Sequence, residues 1–96
     1  MSDVDPAREA ASRGEWHEAF DLLSKADDDG TLHPADLPFL AEVAYAAGRL
    51  EETVDAWERA HVAATQAGDR VAAAGAAVRV AMHLLFDTAL MAPVRG

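Results

Sequence analysis

Apolar residues recur three and four positions apart along most of this chain, the period of a helix with one buried face. Trp16, Ala19, Phe20, Leu23 and Ala26 form one such stripe. Leu37, Leu40, Ala41, Ala44 and Ala47 form a second, and Leu50, Val54, Trp57 and Ala60 with His61 a third. β-branched residues do not alternate with polar ones, so strands are not expected. Helix punctuation falls between the stripes. Asp5 before Pro6 reads as a cap and a first-turn proline, and Gly14 and Gly48 read as breaks. The acidic run Asp27, Asp28, Asp29 before Gly30 reads as a solvated loop, and His33 as a cap before Pro34. Gly68 and Asp69 end one helix and cap the next. These marks predict helices at about 6–13, 15–26, 34–47, 50–67 and 69–86. Asp55 and Arg59 stand four apart on the outer face of the fourth, a spacing that suits an ion pair. Connections this short make consecutive helices antiparallel. The expected fold is all-α, a single domain of about five helices arranged as antiparallel hairpins.

The fifth segment differs from the others. Residues 71–86 are apolar on nearly every face, interrupted by Gly75, Arg79 and His83. A helix of that kind is normally covered on several sides. One face can lie on the fourth helix, but only residues 87–96 follow, and Pro93 limits their helicity. Each large side chain left in water forgoes about 1.5–3 kcal/mol. Val80, Met82, Leu84, Leu85, Phe86, Leu90 and Met91 are therefore expected to form a self-association surface. The expected partner is a second copy in a two-fold dimer, or further helices of a longer parent. The small residues Ala73, Gly75, Ala76 and Ala77 permit close approach. The competing arrangement folds residues 88–94 back over the helix.

An internal repeat organises the first two-thirds. Gly14, Glu15, Trp16, His17, Glu18 and Ala19 align with Gly48, Arg49, Leu50, Glu51, Glu52 and Thr53 at an offset of 34 residues. At the same offset Leu23 answers Trp57, and Ala26 answers Ala60. Glycine takes the tight turn, a small residue admits the neighbouring helix, and a large one fills the gap. With these positions the sequence resembles the tetratricopeptide family, whose repeat has this period. The resemblance covers most of residues 4–60. It implies a right-handed solenoid fragment, with one repeat at about 4–31, a second at about 34–67 and an incomplete third at about 69–96. Val4 and Ala10 depart from the large residues of the family's first helix, Thr53 replaces alanine, and the fourth helix runs on past Ala60 to Ala67. The stretches 44–52, 56–61 and 67–70 are also similar to helical-repeat regions of LuxR-type regulators of high-GC bacteria. In those proteins such regions sense or assemble, and the DNA-binding element lies elsewhere.

The resemblance implies a non-catalytic protein–protein interaction or assembly module, a segment of a transcriptional or signalling regulator. Its groove-facing positions fall here on Arg8, Ser12, Glu42, Tyr45 and Ala46. The lysine and asparagine clamp that holds a C-terminal carboxylate in some repeats is missing, so a receptor for chaperone tails is not implied. The alternative is a self-contained small helical dimer that binds a hydrophobic ligand near Trp57, Met82 and Phe86, or acts as a scaffold.

Composition narrows the chemistry. The chain has 96 residues and no cysteine, which excludes disulfide scaffolds, thiol catalysis and iron–sulfur sites. The net charge is −9, with fifteen acidic and four basic residues in 1–58 against two and four in 59–96. Such a chain is a poor ligand for nucleic acid, and a cationic partner suits its acidic half better. Neither a leader peptide nor a bilayer-spanning run is present, so a cytoplasmic protein is expected. His17 and Glu18 open a zinc-helix motif, but Asp21 stands where the second histidine belongs. The acidic run before Gly30 would place Lys25 at the first position of a calcium loop, which defeats it. The four histidines lie in separate segments, and no serine sits in a nucleophile motif. No enzyme activity, metal or cofactor is expected.

Overall fold

In a computed structural model, residues 4–85 are described. They form five α-helices: α1 (Asp5–Ser12), α2 (Trp16–Asp28), α3 (Leu37–Ala46), α4 (Leu50–Gln66) and α5 (Arg70–Met82). A 3-10 turn, Pro34–Asp36, precedes α3, and a π-type turn over 83–85 follows α5. No strand occurs among the described residues.

The helix ends repeat one design. At Gly14 and Gly48 the backbone takes φ of 75° and 78°, a left-handed conformation that glycine enters without strain. The next N–H then reaches back to an alanine carbonyl, Glu15 to Ala10 at 3.0 Å and Arg49 to Ala44 at 2.8 Å. Thr31 to Ala26 and Asp69 to Ala64, both 2.9 Å, close α2 and α4 in the same way. These bonds satisfy carbonyls that a helix terminus otherwise leaves open. Asp69 also caps α5, its carboxylate accepting from the Ala72 N–H at 3.0 Å.

Several predicted boundaries move, among them the end of α5, where the α-helix gives way to the π-type turn after Met82. The cap expected at Asp5 falls on Val4, whose carbonyl accepts the Arg8 N–H at 2.9 Å, so Asp5 is already helical. The helix expected from Pro34 begins as α only at Leu37. Pro34 and Pro38 both lack an N–H, and the first turn closes instead through Asp36 N–H to His33 carbonyl at 2.8 Å. His33 does cap it, Nδ1 accepting from the Ala35 N–H at 3.1 Å. Finally, α2 runs through Asp27 and Asp28, which are helical and not loop.

Packing follows chain order. α1 lies on α2, α2 on α3, α3 on α4 and α4 on α5, with the closest association around α4. Alanine makes this possible: Ala7, Ala10, Ala19, Ala41 and Ala44 have no exposed surface. Leu23, Val4, Val43 and Thr53 are the largest fully buried side chains. Thr53 keeps its hydroxyl satisfied inside the core by donating to the Arg49 carbonyl at 2.8 Å. Burial repeats at the offset of 34: Ala7 with Ala41, Ala10 with Ala44, Ala19 with Thr53, Leu23 with Trp57 and Ala26 with Ala60 are all buried. Two stripe residues are not sealed, Trp16 and Leu50 being 38% and 39% exposed. α4 has 17 residues against 13 in α2, just over one extra turn.

α5 buries the fewest side chains of the five helices. Ala76 is its only buried residue, with Val80 half-buried against the core. His61 on α4 ties it down, its Nδ1 lying 2.8 Å from the Ala73 carbonyl. A carbonyl only accepts, so Nδ1 carries the proton in that contact.

Candidate functional site

The odd-numbered helices α1, α3 and α5 share one side of the molecule, where two concavities follow one another. The first, about 390 Å³, lies between α1 and α3. Arg8, Ser12 and Trp16 form one wall, and Phe39 and Glu42 the other. The second, about 470 Å³, lies between α3 and α5 with Trp57 of α4 as its floor. Glu42 and Tyr45 face Arg79, Met82 and His83 across it. Glu42 belongs to both, so the two concavities form one continuous surface with a carboxylate at its midpoint.

Local geometry fixes the cations on this surface. The Arg8 guanidinium carbon sits 4.8 Å from the centroid of Phe39, and that of Arg79 sits 5.0 Å from the centroid of Trp57. Each ring attracts the cation through its negative face, and stacking reduces the rotamer freedom that a partner would otherwise have to freeze. Arg8 also reaches Asp36 at 3.7 Å. Tyr45 and His83 form a tilted ring pair with centroids 5.1 Å apart. The site therefore offers two positioned guanidiniums, one carboxylate, two polar aromatic groups and apolar walls. That combination suits the side chains and backbone of a polypeptide.

Of the groove-facing positions that the resemblance implies, Arg8, Ser12, Glu42 and Tyr45 line this surface. Ala46 is exposed on α3 but lines neither concavity. Phe39, Arg79 and His83 are not among the expected positions, while Trp57 and Met82 are those expected beside a hydrophobic ligand. Phe39 lies three before Glu42, on the same face of α3, which is the signal that sequence could have offered. Trp57 reads as core filler, and at 7% exposure it is; its remaining edge is the groove floor.

Of the expected self-association surface, Val80 packs inward, Met82 lines the groove at 48% exposure, and Leu84 and Leu85 lie outside it at 51% and 60%. Phe86, Leu90 and Met91 lie outside the described residues. Val71 and Val78, at 85% and 56% exposure, are exposed on α5 as well.

The strongest electrostatic contacts are structural. Arg59 donates to both carboxylate oxygens of Asp27 at 2.7 and 2.8 Å, joining α4 to α2. Its expected partner Asp55 stands off at 3.9 Å. The hydrogen bonds from Arg59 hold the Asp27 carboxyl below its ordinary range, against a smaller opposing effect of burial. Arg13 gathers Glu15, Glu9 and Glu18 at 2.8, 3.0 and 3.3 Å around the first glycine turn. Among the described residues no three histidine, aspartate or glutamate side chains are placed to hold a metal ion, and His17, Glu18 and Asp21 are exposed. No described helix is long and apolar enough to cross a membrane. No protein-family model matches the chain, and no match was found among curated proteins or solved structures.

Proposed function

We propose that the chain is a non-catalytic protein–protein interaction and assembly module, a tetratricopeptide-like right-handed solenoid segment of a cytoplasmic bacterial regulator. The observation that carries this reading is the surface shared through Glu42, which runs continuously across α1, α3 and α5. Chain-order packing and paired burial at an offset of 34 residues support a stacked-hairpin architecture. The groove takes an extended protein segment, with Arg8 and Arg79 contacting its carbonyls or carboxylates and Tyr45, Trp57 and Phe39 its apolar side chains. The hydrophobic-ligand alternative has less support, because Glu42, Arg79 and His83 line the cavity beside Trp57 and Met82.

A displayed library of random twelve-residue peptides tests the reading. Selected peptides are expected to lose about tenfold or more in affinity with Tyr45→Ala or Arg8→Ala, and to keep it with Glu51→Ala on the outer face of α4. Peptides that footprint on α2 and α4, insensitive to Tyr45 and Arg8, overturn the groove assignment.

A further inference from the structure

The exposed side of α5 has a spacing of its own. Val71, Ala74, Val78 and Ala81 on α5, and Leu85 in the π-type turn that follows it, stand three, four, three and four apart, and all five are exposed. That is the seam spacing of two paired helices. The inward residues Ala73, Ala76, Val80 and His83 lie on the opposite side, and no seam residue lines the groove.

We propose that this seam binds a second copy of the same chain, α5 against an antiparallel α5, with Val78 at the two-fold axis. The two ends of the seam, though not its alanines, are symmetric about that residue. Val71 and Leu85 stand seven residues to either side of it, so in the antiparallel pair each Val71 meets the partner's Leu85. Ala74, Gly75, Ala77 and Ala81 keep the helices close.

Charge selects both the occupant and its direction. Two copies carrying −9 each repel over most of their surfaces, but α5 carries no carboxylate. Its charges are Arg70 and Arg79; Arg79 is held over Trp57, and Arg70 has no ion-pair partner among the described residues. At the far end, Leu84 lies in a concavity of about 350 Å³ with Leu50 and Val54, rimmed by Glu51, Asp55 and Glu58. Glu51 and Glu58 are likewise without partners, and Asp55 has only the 3.9 Å contact to Arg59. An antiparallel pair brings each Arg70 towards the acidic rim of the other copy, twice by symmetry. A parallel pair would set Arg70 against Arg70. This dimer is independent of the groove reading.

The chain has no cysteine, so single-cysteine variants report the geometry without background. Under mild oxidation, Val78→Cys is expected to run almost wholly as a disulfide dimer, since only helices in close contact bring the cysteines within bonding distance. An equimolar mixture of separately prepared Val71→Cys and Leu85→Cys chains is expected to give the mixed disulfide over either homodimer. Arg70→Glu is expected to raise the dimer dissociation constant about tenfold or more, and Glu58→Arg in that background to restore it. Val78→Glu is expected to leave a monomer by light scattering with unchanged helical circular dichroism. A folded Val78→Cys chain that stays monomeric under oxidation overturns the proposal, assigning the seam to residues 86–96 or to another protein. Val71→Cys homodimers that outnumber the mixed disulfide overturn the antiparallel geometry. A wild-type chain that is monomeric across a concentration series overturns both.

Discussion

The Asp27 carboxylate shows how one side chain connects residues far apart in the chain. Arg59 lies 32 positions downstream and could have paired with Asp55 on its own helix, yet it donates both bonds to Asp27. Two parallel bonds to a partly buried carboxylate are worth more than one long contact to an exposed one. The expected cost of Asp27→Asn is about 0.5–1 kcal/mol, near the top of the range for surface pairs, measured by urea unfolding at pH 7. Its pH dependence has a definite sign. The folded carboxyl titrates below its unfolded value of about 3.9, so the stabilisation is complete above that pH. It fades as pH falls through the folded value, and the gap between wild type and Asp27→Asn should close there. Sequence could not identify this pair, because helical spacing reveals only partners three or four residues away. The pair depends on how α2 and α4 face each other.

Helices were legible where a residue can do only one job, and obscure where several choices were equivalent. Gly14 and Gly48 mark turns because the left-handed backbone there strains any residue with a Cβ, so both were readable. Gly48→Ala meets no atom within 4 Å, so its expected cost of about 1 kcal/mol is backbone strain alone. Gly75 sits inside α5 with ordinary backbone angles and equally open surroundings. Gly75→Ala is expected to stabilise by about 0.5–1 kcal/mol, tested by thermal unfolding in the monomeric Val78→Glu background. The direction in which α5 faces was not legible. An all-apolar helix carries no phase, so Val80 and Val78 were equivalent on paper, and only the position of α4 turns Val80 inward. The start of α3 was obscured by its two prolines, which leave helical periodicity intact while removing the bonds of an α turn. In the groove, Arg8, Ser12, Glu42 and Tyr45 were expected only through the family resemblance, and they do line the two concavities. Arg79 and His83 depend on the placement of α5, which had no repeat partner to align with.

At the scale of the molecule, charge and connectivity set the behaviour. Fifteen of the acids lie within residues 1–58, and many face outward on α2 and α4. Their mutual repulsion is screened by salt, so the melting temperature is expected to rise between 10 and 200 mM sodium chloride, as the Debye length contracts from about 30 to below 10 Å. A fall across that range would mean that the ion pairs of Arg13 and Arg59 outweigh the repulsion. The extents of 48 × 33 × 21 Å fit a chain whose helices lean mainly on their immediate neighbours. That connectivity acts on α5 above all, which leans chiefly on α4, through one buried alanine and the bond between His61 and Ala73. Its backbone amides should exchange with deuterium through a local opening that leaves α3 and α4 protected. A helix that opened in this way would report on whatever lies against it: occupancy of the outer side of α5 would appear first as slower exchange, before any change in overall shape.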